Sequence, residues 1–212
     1  MSEKRIGRRA FLTVVGLGGV GILFGGKVSR PIEAVLPGQG WRIYAINPPW
    51  PRFDPSRWRL EVTGAVERPL KLTYDQFRAL PSRSQTTDFH CVTGWTVDSV
   101  RWQGVPLEAL WERARPTSEA RYANFVSMER PYVDTLSLDQ TTLPNVMLAH
   151  SMNGQPLSRA HGAPVRLVIP EMYGYKNVKW LTRIEIVPDL TPGFWEQNGY
   201  DVDAWVGRSN GY

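Results

Sequence analysis

Only one cysteine, Cys91, and three histidines occur in the 212 residues. A single thiol cannot close an internal disulfide, even in a compartment that permits one. One Cys with His90, His150 and His161 scattered along the chain also lacks the paired ligand spacing of a zinc site. No Cys-x-x-Cys-His run is present, which excludes covalent c-type haem attachment, and there are no cysteines to hold an iron–sulfur cluster. Lys and Arg exceed Asp and Glu by five, and the sequence pI is near 9.5. The basic residues are nevertheless spread along the chain with no Lys/Arg block among aromatics, which argues against a nucleic-acid-binding module. Long helical periods, internal repeats and low-complexity tracts are absent too, so neither a helix bundle nor a solenoid is expected.

Nine Trp and 17 Pro point instead to short strands and many turns. The first nine residues hold Lys4, Arg5, Arg8 and Arg9 against Glu3, and an uncharged run from Ala10 to Gly26 follows. This is the form of an export signal. Arg8-Arg9-Ala10-Phe11-Leu12 gives it a twin-arginine character, although Gly7 and Thr13 stand where Ser/Thr and Lys are usual. A membrane anchor is the alternative, and the two are compatible, since no small-x-small cleavage site follows Gly26. Twin-arginine export carries folded proteins, and a common reason to fold first is a cofactor inserted in the cytoplasm.

Residues 27–57 are expected to be a tether and an extended lead-in, and residues 58–212 a mostly β domain with a few short helices (an α+β fold). Arg59–Val62 alternates as a half-buried strand does. Thr73-Tyr-Asp-Gln76 has the form of a capping box, starting a short helix that Pro81 stops. Thr86–Val92 reads as a strand that delivers Cys91 to its end, with Gly94 turning the chain. Pro106 is expected at the first position of a helix to about Ala114. Strands are expected at 101–103, 122–128, 146–152, 165–169 and 178–187, with a tight turn at Asn153-Gly154.

From its setting alone Cys91 has several readings: a small packed hydrophobe, a nucleophile, or a soft ligand to a redox metal within an organic cofactor. Neighbouring His90 is a poor base for it, because adjacent strand residues point to opposite faces. A second region spans 161–181. There Arg166, Lys176 and Lys179 flank a Gly-containing turn, either as a cationic pocket for a phosphate or as a solvated strand face.

Three groups of residues resemble those of the sulfite oxidase superfamily. Cys91-Val-Thr-Gly-Trp95 with Trp102-x-Gly-Val-Pro-Leu107 is similar to its molybdenum-ligand region. His161-Gly-x-Pro-x-Arg166 and Tyr173-Gly-x-Lys-x-Val-Lys-Trp180 are similar to its molybdopterin-phosphate region. Trp195-Glu-Gln-Asn-Gly-Tyr200 resembles the stretch bearing its substrate-pocket tyrosine. The resemblance covers roughly residues 45–205 and implies a sulfite oxidase-type fold holding one molybdenum–molybdopterin per chain. It implies Cys91 as the thiolate on the metal, and His161 and Arg166 at the pterin and its phosphate. Asn177, Val178 and Lys179 would wrap the phosphate end, Asn47, Trp50 and Ser127 would touch the cofactor, and Tyr200 would line the substrate pocket. The implied activity is oxygen-atom transfer to or from a small sulfur or nitrogen compound, either oxidising sulfite or reducing an S- or N-oxide. Electrons would pass to or from a separate cytochrome or membrane haem protein. A location in the periplasm or on the outer face of the cytoplasmic membrane is expected from export by the twin-arginine machinery. Two departures stand out: Ile46 replaces an arginine that sulfite oxidases carry just before the lead-in asparagine, and His161 replaces the asparagine of the methionine-sulfoxide reductase branch. A cofactor-free β domain acting as an anchored binding module is the competing reading.

Overall fold

The computed structural model describes residues 32–35 and 40–210; residues 1–26, where an export signal is expected, lie outside them. In chain order the elements are β1 (Ile32–Val35), β2 (Arg42–Ala45), β3 (Arg59–Gly64), β4 (Leu70–Thr73), α1 (Tyr74–Arg78), β5 (Arg83–His90), β6 (Thr96–Pro106), α2 (Glu108–Ala114), β7 (Tyr122–Ser127), β8 (Val133–Ser137), α3 (Leu138–Thr141), β9 (Met147–Met152), β10 (Gln155–Pro156), β11 (Arg166–Val168) and β12 (Leu181–Val187). Short 3-10 turns cover Gly174–Lys176 and Glu196–Asn198. The fold is therefore mostly β with a few short helices, as the sequence indicates.

One sheet runs β4-β3-β12-β7-β8, with β12 parallel to β3 and antiparallel to β7. A second runs β10-β9-β6-β5, and β11 also pairs with β9. The β1–β2 ribbon stands apart. The main core holds Leu60, Val62, Phe77, Phe125, Leu167 and Ile184 among others, all fully buried. A smaller core, built around Trp41, Ile43 and Trp102, lies against the second sheet.

Local chemistry explains the elements read correctly. Thr73 accepts from the Gln76 amide while the Gln76 side chain accepts from the Thr73 amide, so α1 begins where two orphan donors are satisfied. Asn153 (φ 52°) and Gly154 (φ 79°) make the left-handed turn between β9 and β10.

Three expectations are corrected. Regular structure begins before Trp58: β2 already alternates exposed and buried side chains, but four residues among prolines and glycines are too few to show a period. Pro106 ends β6 rather than opening a helix; α2 starts at Glu108, because the Pro106 carbonyl side remains paired with β9. The strand expected from Val178 starts at Leu181, since Trp180 sits at φ 53° and breaks the extended run.

Candidate active site

The β5–β6 hairpin presents Cys91. β5 ends at His90, and the next residues close a tight loop: the Cys91 amide donates to the Trp95 carbonyl (2.9 Å) and the Gly94 amide to the Cys91 carbonyl (2.9 Å). Gly94 adopts φ 92°, a conformation glycine enters without strain. His90 turns away to bond Thr96 (3.0 Å), while Cys91, just past the strand's end, faces a cleft. The Cys91 thiol lies 3.2 Å from the Thr93 hydroxyl.

The cleft is walled by β2 and its flanks, the Cys91–Trp95 loop, the end of β7, Arg166, the 174–180 segment, and Trp195 with Tyr200. Rings dominate it: Trp41, Phe89, Trp95, Tyr132, Tyr175 and Trp180 all contribute. Phe89 can come so close to the 174–176 turn only because Gly174 lacks a side chain; a Cβ there would lie 2.6 Å from the Phe89 ring.

Two cations enter this apolar setting. Arg166 is only 2% exposed. Its guanidinium donates to the carbonyls of His161 and Asn177 (both 3.3 Å) and lies over the rings of Trp102 and Phe89, at 5.1 and 5.4 Å from their centroids. No carboxylate pairs with it among the described residues. Burial lowers its pKa to about 10. The Lys179 ammonium donates to the Tyr44 carbonyl at 2.7 Å and sits 4.1 Å from the Trp180 ring centroid. Enclosure of that ammonium brings its pKa down to about 7, against the pull of Glu129 and helped by the push of Arg166. A buried cation satisfied only by carbonyls and ring faces is suited to receive an anion.

Of the residues singled out in the sequence, Cys91, Ser127, Arg166, Asn177, Lys179 and Tyr200 line this one cleft. Ser127 donates to the Lys179 carbonyl (2.8 Å) and accepts from the Glu129 amide (2.9 Å). Asn177 fixes the 166–177 turn by accepting from the Ile169 amide (2.9 Å). Tyr200 packs edge-on against Tyr175 and Trp195. The other four stand outside the lining. Asn47 is exposed and donates to the Arg130 carbonyl (2.9 Å). Trp50 packs on the smaller core. Val178 is buried in the main core, its carbonyl accepting from Leu167. His161 is buried edge-on against Trp41, its Nδ1 without a hydrogen-bond partner among the described residues. Burial, then Arg166 and Lys179, hold His161 down to about 4, so the ring is neutral at neutral pH.

Lys176 is a correction. It joins no cationic pocket, but is fully buried between Asp134 (2.8 Å) and Glu196, with the Thr135 carbonyl at 2.9 Å. The 3-10 turn rotates it toward β8, away from Lys179.

Ile46, at the place of the missing arginine, is 2% exposed and lines the cleft. The exposed Arg42 lines the cleft as well. Sequence reasoning also missed Glu129, a buried carboxyl on the cleft that accepts from the Asn47 amide at 3.2 Å and whose pKa burial raises. Its partner lies 82 positions away in sequence, so no local signal marked it.

A sequence profile of the family described as "Oxidoreductase molybdopterin binding domain" matches residues 47–195. The chain is 39% identical over 155 residues to YuiH of Bacillus subtilis strain 168, an oxidoreductase whose name describes it as uncharacterized; the match covers 72% of this chain and 77% of that one. It is 31% identical to the protein-methionine-sulfoxide reductase catalytic subunit MsrP of Campylobacter jejuni (68% of this chain, 54% of that one) and 32% identical to MsrP of Gluconobacter oxydans (74% and 56%). The chain thus spans about half the length of these MsrP relatives. In fold it is similar to the sulfane dehydrogenase SoxCD of Paracoccus pantotrophus, with a TM-score of 0.67 at 23% identity, over 80% of this chain and 50% of that one.

Proposed function

The chain belongs to the molybdopterin-binding oxidoreductase family, within the sulfite oxidase superfamily, and on that premise we propose that it is a mononuclear molybdenum enzyme moving an oxygen atom to or from a small sulfur or nitrogen compound. One observation carries this reading: a buried guanidinium without a carboxylate partner among the described residues opens onto the same cleft as the only thiol of the chain. The residues suit the two ends of the cofactor. Cys91 is the soft donor for the metal, and Arg166 with Lys179 is the cationic pair for the phosphate. When bound, the cofactor supplies the two-electron redox change that accompanies oxygen-atom transfer.

The protein's share is binding and orientation. The 91–95 loop fixes the thiol, the Asn177 and His161 carbonyls aim the guanidinium, and the rings give the cleft a largely apolar wall. Ile46 leaves that part of the wall apolar where an arginine would have added a cation, which favours an uncharged S- or N-oxide over sulfite. Tyr200 is the proposed substrate contact, a role supported by its position on the cleft wall beside Trp195 and Tyr175.

We further propose export of the folded chain through the twin-arginine route by residues 1–26, and electron exchange with a separate haem protein. N-terminal sequencing of the exported protein distinguishes a cleaved signal from a retained anchor, and stopped-flow mixing with candidate cytochromes tests the partner. The central test is elemental and pterin analysis of the purified full chain, followed by Cys91→Ser. About one molybdenum per chain, with a Mo(V) resonance lost or severely altered in Cys91→Ser, is expected. Absence of metal and pterin from a strain that makes the cofactor would favour the binding-module reading.

A further inference from the structure

The Cys91 thiol has a close polar neighbour that the function does not yet use. Thr93 Oγ1 lies 3.2 Å from Cys91 Sγ, and the Tyr44 hydroxyl lies 3.5 Å from the same Thr93 oxygen. In the thiol form either atom of the first pair can donate. A thiolate on a metal has no proton, so the hydrogen bond can then run only from Thr93 to sulfur. Once the Thr93 proton points at sulfur, a Thr93 lone pair faces Tyr44, whose hydroxyl becomes the donor in the second contact.

The surrounding loop fixes this arrangement. The Cys91 amide and carbonyl are both tied within the 91–95 turn, which folds residue 93 back over the side chain of residue 91. Thr93 is β-branched, so its χ1 is stiff and the hydroxyl loses little freedom in holding this direction. Val92, between the two, is buried in the main core and anchors the loop from below. Tyr44 is itself held, because its carbonyl accepts from Lys179.

We infer that Thr93, oriented by Tyr44, is a positioning residue that donates a hydrogen bond to the Cys91 thiolate and thereby raises the reduction potential of the metal it ligates. The inference rests on the proposed role of Cys91. Hydrogen bonds to a ligating sulfur withdraw electron density from it, and a less electron-rich thiolate stabilises the reduced metal relative to the oxidised one. A donor in this position also restrains the Cys91 rotamer.

The test uses the full chain loaded with cofactor, comparing wild type with Thr93→Val, which keeps the shape and removes the donor, and Thr93→Ser, which keeps the donor. Molybdenum content, the Mo(V) electron paramagnetic resonance g-values and the Mo(VI)/Mo(V) midpoint potential are measured. Thr93→Val is expected to hold molybdenum at the wild-type level, with shifted g-values and a lowered midpoint. Thr93→Ser is expected to return both toward wild type, and Tyr44→Phe to move them in the Thr93→Val direction by a smaller amount. If Thr93→Val does not accumulate, Thr93→Ala gives the same reading. Wild-type g-values and midpoint in a fully loaded Thr93→Val protein would overturn the inference while leaving the cofactor assignment intact. A larger shift from Tyr44→Phe than from Thr93→Val would overturn it too, by moving the donor to Tyr44. A wild-type Mo(V) signal that survives Cys91→Ser unchanged would instead remove the assignment of Cys91 on which it stands.

Discussion

The Lys179 ammonium donates to the Tyr44 carbonyl, 135 residues away in sequence, at 2.7 Å. That bond fastens the lead-in strand β2 to the segment carrying the phosphate-binding candidates, so the two opposite walls of the cleft meet at one charged group.

The charge on that group makes binding depend on pH. Burial holds Lys179 at about 7, below its ordinary value of 10.5. Between those values the unfolded chain binds the proton and the cofactor-free fold does not, so stability of the cofactor-free protein should rise with pH through that window. A bound phosphate favours the charged form, so cofactor binding should take up a proton above about pH 7 and weaken by up to about tenfold per pH unit. Calorimetric titration in two buffers of different ionisation enthalpy reads the proton uptake directly. Lys179→Arg, which stays charged, should bind with a flat profile over this range.

Arg166→Ala is expected to release cofactor rather than unfold the protein. Charge-assisted hydrogen bonds are worth about 1.5–3 kcal/mol, which corresponds to a loss of roughly ten- to a hundredfold in affinity. The cofactor-free variant should melt near wild type or above it, because a desolvated cation with only carbonyl partners has been removed. Molybdenum and pterin content against thermal midpoint separates the two effects; full occupancy in the variant would count against the phosphate role.

Lys176→Met should do the reverse, damaging the fold first. It strands Asp134 and Glu196 in the core with no cation between them, and removing one partner of a buried ionic group costs about 3–5 kcal/mol. Burial already holds Asp134 well above the usual carboxylate range despite Lys176. Urea unfolding of the cofactor-free chain measures the loss. Adding Glu196→Gln to Lys176→Met should recover part of it, since one fewer carboxylate is then left without its cation.

Features encoded by neighbours in sequence were legible without the structure. The Thr73–Gln76 capping box, the Asn153-Gly154 turn and the delivery of Cys91 by a strand each depend on residues within a few positions. Hydrogen-bond chemistry and φ preferences act at that range, and the ordered motifs around Cys91, Arg166 and Tyr200 were enough to suggest the family. Other features were decided only when distant segments packed. Lys176 and Lys179 are three positions apart and chemically alike, yet one is neutralised in the core and the other faces the cleft. The difference arises from a 3-10 turn followed by the left-handed Trp180, and from Asp134 and Tyr44 arriving from elsewhere in the chain. Glu129 became part of the cleft only through its meeting with Asn47, and Ile46 became its apolar wall only once β2 had docked. Burial sets the charge state and direction of these side chains, and burial depends on contacts that no local stretch of sequence contains.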